Sequence, residues 1–513
     1  MTGLVHSKWF AILKYIILIV GITIQVAAYK LQLLNLFVCG FLFIFVHNIL
    51  FYIEKYSKRF IYLLFNITFF TFLVSRPVIA MFRGEEWWRA VRETTDSAWF
   101  ALTLVGVSLY SLIAGGYLAE LMHNRCILSV KRAGEKKEKI RKEGFKENLQ
   151  VVSMLVFYAT YPMYLLQELE PLLFSNISNY MSYYTDFQNQ FPALFYTLAS
   201  FMKISLCIFL ATFPRKRRAF IPLVLFEVSA FPSLIIGLRN PIVLNSLFIL
   251  VYYLLREIVE NKEKWMGKFE KIVVGCGAPL MIIFMMAYAY LRAGMSIKIE
   301  NPFRYVSDFF YSQGVTFNVI QLAYGYIESM RLQASNYTFG GIIDYIYRGT
   351  LGQKIFGTEG LPSGNTLENA ELSHNLSHHL SYATMKEEYL SGRGWGSSYI
   401  LESYVDFDYI GVLIIGLIIG FFLIYSVYWF GRKVFVNTVI LMALTTFFFI
   451  PRAEATGWVT FIVTIQFWVC LIGCYFAAFV AWKCKFIHNI IDRLHLYPKT
   501  DKNTGSTENI EGK

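Results

Sequence analysis

The sequence predicts an all-α polytopic membrane protein with about twelve transmembrane helices and one large extracytoplasmic loop. Three observations lead there. The 513 residues are 56% hydrophobic and only 16% charged, whereas a water-soluble domain carries about a quarter charged residues. The apolar residues gather into runs long enough to cross a hydrocarbon core of roughly 30 Å, which takes about 20 residues of helix. Positive charge falls in short stretches between alternate pairs of runs, as it does where basic loops orient a membrane protein. With a mean hydropathy of +0.47, a soluble enzyme, a secreted disulfide scaffold, a fibre and a disordered chain are all excluded.

In chain order the runs are 9–29, 32–53, 60–81, 98–121, 149–167, 191–213, 219–237, 241–256, 272–292, 408–430, 434–450 and 457–482. The first begins near Trp9 with no small-residue cleavage site after it, and so reads as a retained span rather than a signal peptide. The pair over 219–256 is interrupted by Pro222, Pro232 and Pro241, and 434–450 is short. The 47 Phe, 34 Tyr and 10 Trp suit chains that meet membrane interfaces. The division is a bundle of nine spans over 1–292, a loop over 293–407, C-terminal helices over 408–482 and a tail over 483–513.

The formal charge of +12 would suggest nucleic acid in a soluble chain. Here the cations cluster at Lys55–Arg59, Arg125–Lys146, Arg215–Arg218, Arg256–Lys271, Arg432–Lys433 and the tail from Lys483. Twelve spans place all of these on one side, so both termini are expected in the cytoplasm and the positives face anionic lipid. Cys39, Cys126, Cys207, Cys276, Cys470, Cys474 and Cys484 all fall outside the expected external segments, which implies no disulfide framework. Cys470 and Cys474, one helical turn apart, read as core.

A connection as long as 293–407 is uncommon without a function. Its first part, from Arg304 to Leu332, spaces apolar residues as an amphipathic helix lying on the membrane or on the bundle. Gly357–Asn375 is rich in Gly, Pro, Asn and Ser and reads as irregular loop. Asn375–Gly392 reads as a short helix.

Chemistry concentrates at Ser391–Gly411. Gly392, Gly394 and Gly396 permit tight turns, and Ser397 or Ser398 can cap the helix that becomes span ten. A helix N-terminus presents free N–H groups that suit a phosphate, and Arg393 adds a permanently charged donor fork. Glu402 sits a turn into that helix, with Asp406 a turn further. Arg239 precedes Asn240-Pro241 at a second outward-facing helix start. Arg292 ends span nine, Arg452 follows Pro451 at the end of span eleven, and Arg76 falls inside span three, where an ionised side chain costs about 2.5–3.5 kcal/mol on insertion scales. His374, His378 and His379 are the histidines expected outside, and imidazole titrates near neutrality. Glu371, His374 and His378 have a metal-compatible spacing, but no further ligand is evident and no metal is expected. Trp87 and Trp88 could pack on sugar; interface anchoring explains them better. There is no P-loop, H-E-x-x-H or G-x-S-x-G motif.

A long outer loop that ends in G-x-G-x-x-S…E-x-Y-x-D-F and runs into a span resembles the Wzy-type O-antigen and capsular polysaccharide polymerases. Gly394, Gly396, Ser398, Glu402, Tyr404, Asp406, Phe407 and Gly411 carry the resemblance; Asp408 stands where such sequences often have Gly. The resemblance implies polymerisation of polyprenyl-pyrophosphate-linked repeat units at the outer face of the bacterial cytoplasmic membrane, with lipid-linked donor and acceptor glycans as substrates. It also implies a chain-length regulator and a flippase as partner proteins, and neither a cofactor nor nucleic acid. Arg239, Arg292 and Arg393 would hold the donor pyrophosphate, with Ser398, Arg452, Arg76 and His378 as further contacts. A base, His374 or Glu402 with Asp406 as a rival, would deprotonate the acceptor hydroxyl; related ligases that move O-antigen to lipid A use an outer-loop His. The alternatives are a flippase for the same lipid-linked unit, against which the lack of an internal repeat and the concentration of special residues at one outer boundary argue, and an O-antigen-ligase-like transferase.

Overall fold

The computed structural model describes residues 8–484 apart from 90, 92–93, 130–137, 175–179, 186, 260–262, 293–301 and 334–335. Part of the Arg125–Lys146 basic stretch, the tail from 485 and the side chain of Arg292 lie outside the described residues. Of the described residues 83% are helical and none is in a strand. Among the described residues, twelve helices are long and apolar enough to cross a membrane, and they match the twelve apolar runs one to one.

Two boundaries differ from the hydropathy reading. Span ten is Tyr399–Trp429 and begins well before residue 408. Its first turns carry Glu402, Ser403 and Asp406, which lower the local hydropathy, but Glu402 and Ser403 are fully buried by neighbouring chain. The helix is kinked at Phe407 and Asp408. Span twelve, Ile465–Lys483, starts later than expected because Thr460–Val463 forms a 3-10 turn and Thr464 is extended. Pro222 is accommodated inside Lys216–Val228. The break in span seven falls after Val228, and Pro232 then starts the short helix Phe231–Ile236, where a missing N–H costs nothing.

Spans four (Asp96–Arg125) and ten form the most extensive helix pair. Small residues bring the two backbones together, the usual device where lipid removes the hydrophobic drive for helix association. A Cβ at Gly420 would lie 2.1 Å from the Leu112 carbonyl oxygen, and one at Gly115 would lie 2.2 Å from that of Leu417.

The segment after span nine lies on this bundle. The expected single helix over Arg304–Leu332 is three: Pro302–Gln313, Val315–Ala323 and Ile327–Gln333. The first break falls at Gly314, where a Cβ would come within 2.6 Å of the Arg76 side chain, so a tight turn against span three requires glycine. The second helix buries Phe317, Ile320 and Gln321 and packs on span four. Trp87 stacks edge-on with Phe317 at 5.5 Å and its indole N–H donates to Asn35 Oδ1 at 3.1 Å. It is therefore a buried core residue and not the interface anchor expected of it. The irregular stretch Gly357–Asn375 is interrupted by a short helix, Leu367–Leu372, and the His-bearing helix is Leu376–Met385.

Candidate active site

Three pieces of chain meet over the start of span ten. The first is the glycine stretch itself. Gly392 has φ +92°, a backbone that favours glycine. The Trp395 N–H donates to Ser381 Oγ at 2.8 Å and its indole N–H to Thr384 Oγ1 at 3.1 Å, which fastens the stretch to the Leu376–Met385 helix. Asn365 donates to the carbonyls of Tyr389 and Arg393, both at 2.8 Å. Span ten then starts at Tyr399 with Ser398 extended before it. Ser398 is fully buried, makes no side-chain cap, and leaves its Oγ without a partner.

The second piece is the end of span eleven, the 3-10 turn Phe447–Arg452, with the loop after it through Thr456. Glu402 is fully buried beside it. Its Oε1 accepts the Ser397 hydroxyl at 2.6 Å and its Oε2 accepts the Ala455 N–H at 2.8 Å. Oε1 thus fastens the start of span ten to the residues just before it, and Oε2 joins span ten to the chain after span eleven. Glu454, one residue before Ala455, accepts from Asn375 Nδ2 at 2.9 Å. Burial, with the Asp344 carboxylate nearby, pushes the Glu454 carboxyl above the ordinary range. Arg452 lies over the Phe72 ring at 5.9 Å, and its side chain borders Gly396.

The third piece carries the histidines. His374 donates its backbone N–H to Asp344 Oδ2 at 2.8 Å, and its Nδ1 meets Asp344 Oδ1 at 2.8 Å. An imidazole held by a carboxylate at Nδ1 has its ring orientation set and its Nε2 left to act, the arrangement in which histidine serves as a general base. Asp344 is on the helix Gly340–Arg348, which can approach only because residue 340 lacks a side chain. A Cβ there would sit 2.0 Å from the His374 carbonyl oxygen. Gly341 in turn faces Glu454, whose Oε2 would be 2.8 Å from a Cβ.

Asp406 serves the same helix from below. Its oxygens accept the backbone N–H groups of Asn336 and Tyr337, both at 3.0 Å, and of Thr338 at 2.6 Å. These interactions hold the turn that leads into Gly340, so Asp406 is committed to positioning. His378 meets Tyr389 at 2.8 Å through Nδ1, and burial lowers its pKa. His379 meets Tyr337 at 2.7 Å and is lowered to about 4 by burial.

The arginines do not form one cluster. Arg393 is exposed and pairs with Glu388 at 3.0 Å. Arg239 lines a large apolar cavity of about 610 Å3 between spans three, seven, eight and nine, roofed by Phe309, Phe310 and Gln313. Its guanidinium donates to the Met285 carbonyl at 3.3 Å. Arg76 stacks over Tyr311 at 4.5 Å, on the helix that supplies that roof. Phe72 also lines the cavity, packed edge-on against Phe449 at 5.6 Å. Arg452, over Phe72, thus stands where the cavity meets the carboxylate and histidine cluster.

The structure brings the sequence-predicted Glu402, His374 and Arg452 to one region together with Asp344, Glu454 and Asn375, which local reading of the sequence does not single out. The adjacent Gly340 and Gly341 were the available signal, since paired glycines in a segment of bulky residues mark a close approach. Among the described residues, no group of three or more His, Cys, Asp or Glu could hold a metal ion.

No curated protein and no solved structure matches this chain. A family model, O-antigen polysaccharide polymerase Wzy, matches residues 10–485. Twelve apolar helices, a layer of chain folded over one end of them and a match over nearly the whole length agree, and the chain belongs to the O-antigen polysaccharide polymerase Wzy family.

Proposed function

We propose that the chain joins polyprenyl-pyrophosphate-linked repeat units at the outer face of the bacterial cytoplasmic membrane, with His374 as the base. The observation that carries this reading is the His374–Asp344 pair, whose Nδ1 contact leaves Nε2 free to take a proton. The acceptor hydroxyl oxygen attacks the anomeric carbon of the donor sugar with inversion, and its proton passes to His374 Nε2. The bond from the anomeric carbon to the phosphate oxygen breaks, and the electron pair leaves with the polyprenyl pyrophosphate. No oxidant, nucleotide sugar or cofactor enters the balance.

The apolar cavity suits a polyprenyl tail, since its wall is mostly Leu, Ile, Val, Phe and Met. Arg239 in that wall and Arg452 above Phe72 would meet the pyrophosphate as charge develops on it. Arg76 and Arg292 are further candidates for that contact. Arg393, already paired with Glu388 in solvent, is a weaker one. Glu402, bonded at both oxygens, orients the cluster instead of taking the proton. The charge of the short loops supports a cytoplasmic position for both termini.

His374→Ala and Asp344→Asn, expressed in a strain lacking the gene, test this. Both are expected to leave single repeat units on the surface with normal protein level, and a wild-type ladder of long chains from His374→Ala would overturn the assignment. Units trapped on the cytoplasmic leaflet in the deletion strain would indicate a flippase instead.

A further inference from the structure

A second cavity, of about 340 Å3, opens at the ends of spans five, six and seven, and none of the chemistry above uses it. Its volume is at the lower end of small-ligand sites, about 300–1,000 Å3. Glu168 and Glu170 line it with the amides Gln167 and Asn189 and the rings of Tyr183 and Phe187. The two rings are stacked, with centroids 5.5 Å apart and planes 12° from parallel.

Glu170 is 1% exposed. Its Oε1 accepts the N–H groups of Gln190 at 2.5 Å and Phe191 at 3.3 Å, and the Tyr196 hydroxyl at 2.7 Å. Its Oε2 is buried without any partner. A buried acceptor left unsatisfied costs about 1–3 kcal/mol, so a ligand that brings a donor to it gains what the empty site lacks. Glu168 Oε2 accepts the Ser233 hydroxyl at 2.9 Å, and Glu168 also interacts with Tyr164 and the buried Lys203. The cavity wall contains neither Arg nor Lys. An anionic ligand would meet the Glu170 carboxylate with no cation among the lining residues, whereas a ligand rich in hydroxyl donors satisfies it; the buried Lys203, behind the wall, interacts with Glu168 instead.

Position gives the ligand its source. Leu238 lines this polar cavity and Arg239, the next residue, lines the apolar one. Next to Tyr183 of the other wall, the Tyr184 carbonyl accepts the Asn365 N–H at 3.0 Å, and Asn365 also holds the carbonyl of Arg393 in the glycine stretch before span ten. The polar cavity thus lies between the place proposed for the pyrophosphate and the chain that leads to Glu402.

We propose that it is a saccharide subsite, which takes a pyranose of the substrate glycan that bears no acid group. The ring's hydroxyls donate to Glu170 Oε2 and Glu168, and its C–H face packs on Tyr183 and Phe187. This rests on the reading that the chain handles lipid-linked glycans, and deepens it.

The test is saturation-transfer NMR on the full chain in nanodiscs, with the repeat-unit oligosaccharide released from the producing strain's polymer as the probe. Transfer to the C–H protons of one uncharged pyranose is expected, reduced at least five-fold in Phe187→Ala and in Asn189→Ala; Asn189 lies in an exposed loop whose truncation leaves the bundle intact. His374→Ala is expected to bind as wild type does. Absence of transfer to the wild-type chain, equal transfer in both cavity variants, or transfer centred on a uronate would overturn the proposal. A His374→Ala chain that polymerises normally would overturn the catalytic reading alone and leave the binding result standing.

Discussion

Gly340 offers a clean perturbation of the His374–Asp344 pair. Its φ of −52° and ψ of −50° are ordinary helical values, so alanine there meets no backbone strain. Space is the whole difference. The new Cβ would lie 2.0 Å from the His374 carbonyl oxygen, 2.9 Å from its carbon and 3.2 Å from its Cβ. Ordinary contact begins near 3.4 Å, so the Gly340–Arg348 helix and the His374 backbone must part by about 1.4 Å. The atoms in the way are backbone and cannot swing aside as a side chain would. A displacement of about 1 Å in a positioned catalytic group costs on the order of 10²-fold in rate. We expect Gly340→Ala to lower polymerisation by about that factor, assayed with purified protein and lipid-linked repeat units, while thermal melting stays near wild type. Gly473→Ala, where a Cβ meets nothing within 4 Å, is the control and should be silent. Full activity in folded Gly340→Ala would refute the claim that this contact holds His374 in its working position.

Further expectations concern stability. Burial holds His379 neutral, with its pKa lowered from 6.5 to about 4. The unfolded chain protonates this residue first as pH falls, so its contribution is present above 6.5 and is lost on the way down to 4, by up to about 3 kcal/mol. Melting from pH 7.5 to 4.5 should therefore be shallower in His379→Gln, and an unchanged slope would contradict it. Asp408, at φ +53° and ψ −152°, occupies backbone space that costs a side-chain residue of order 1–3 kcal/mol. Arg331 pairs with it there. Asp408→Gly removes both strain and pair, and Asp408→Ala only the pair, so the glycine variant should melt higher by the equivalent of about 1–2 kcal/mol. Gly420→Val should abolish folded protein, because its Cβ would come 2.1 Å from the Leu112 carbonyl oxygen across the helix pair; a detergent-stable monomer at wild-type yield would argue against that packing.

Membrane burial is written locally. A run of about 20 apolar residues meets the same solvent whatever its neighbours do, so the number and order of the spans follow from composition alone. The glycines at 392–396 and the helix carrying Glu402 were legible for the same reason, since turns and helix starts depend on adjacent residues. The departure of Asp408 from the glycine common in such sequences also marked a position whose backbone has positive φ.

What the folded chain alone decided are pairings between distant residues. His374 acquires Asp344, Asn375 acquires Glu454, and Glu402 acquires the N–H of Ala455. Asp406 looked as free to act as Glu402 until three backbone N–H groups claimed it. Among the residues read as one patch of anion contacts, Arg393 makes a solvent pair, Arg239 lines a cavity wall and Arg452 covers a ring face. Hydropathy and capping act over a turn or two of chain. A hydrogen bond or ion pair needs two groups within about 3–4 Å, and only close packing of elements remote in sequence decides which groups those are.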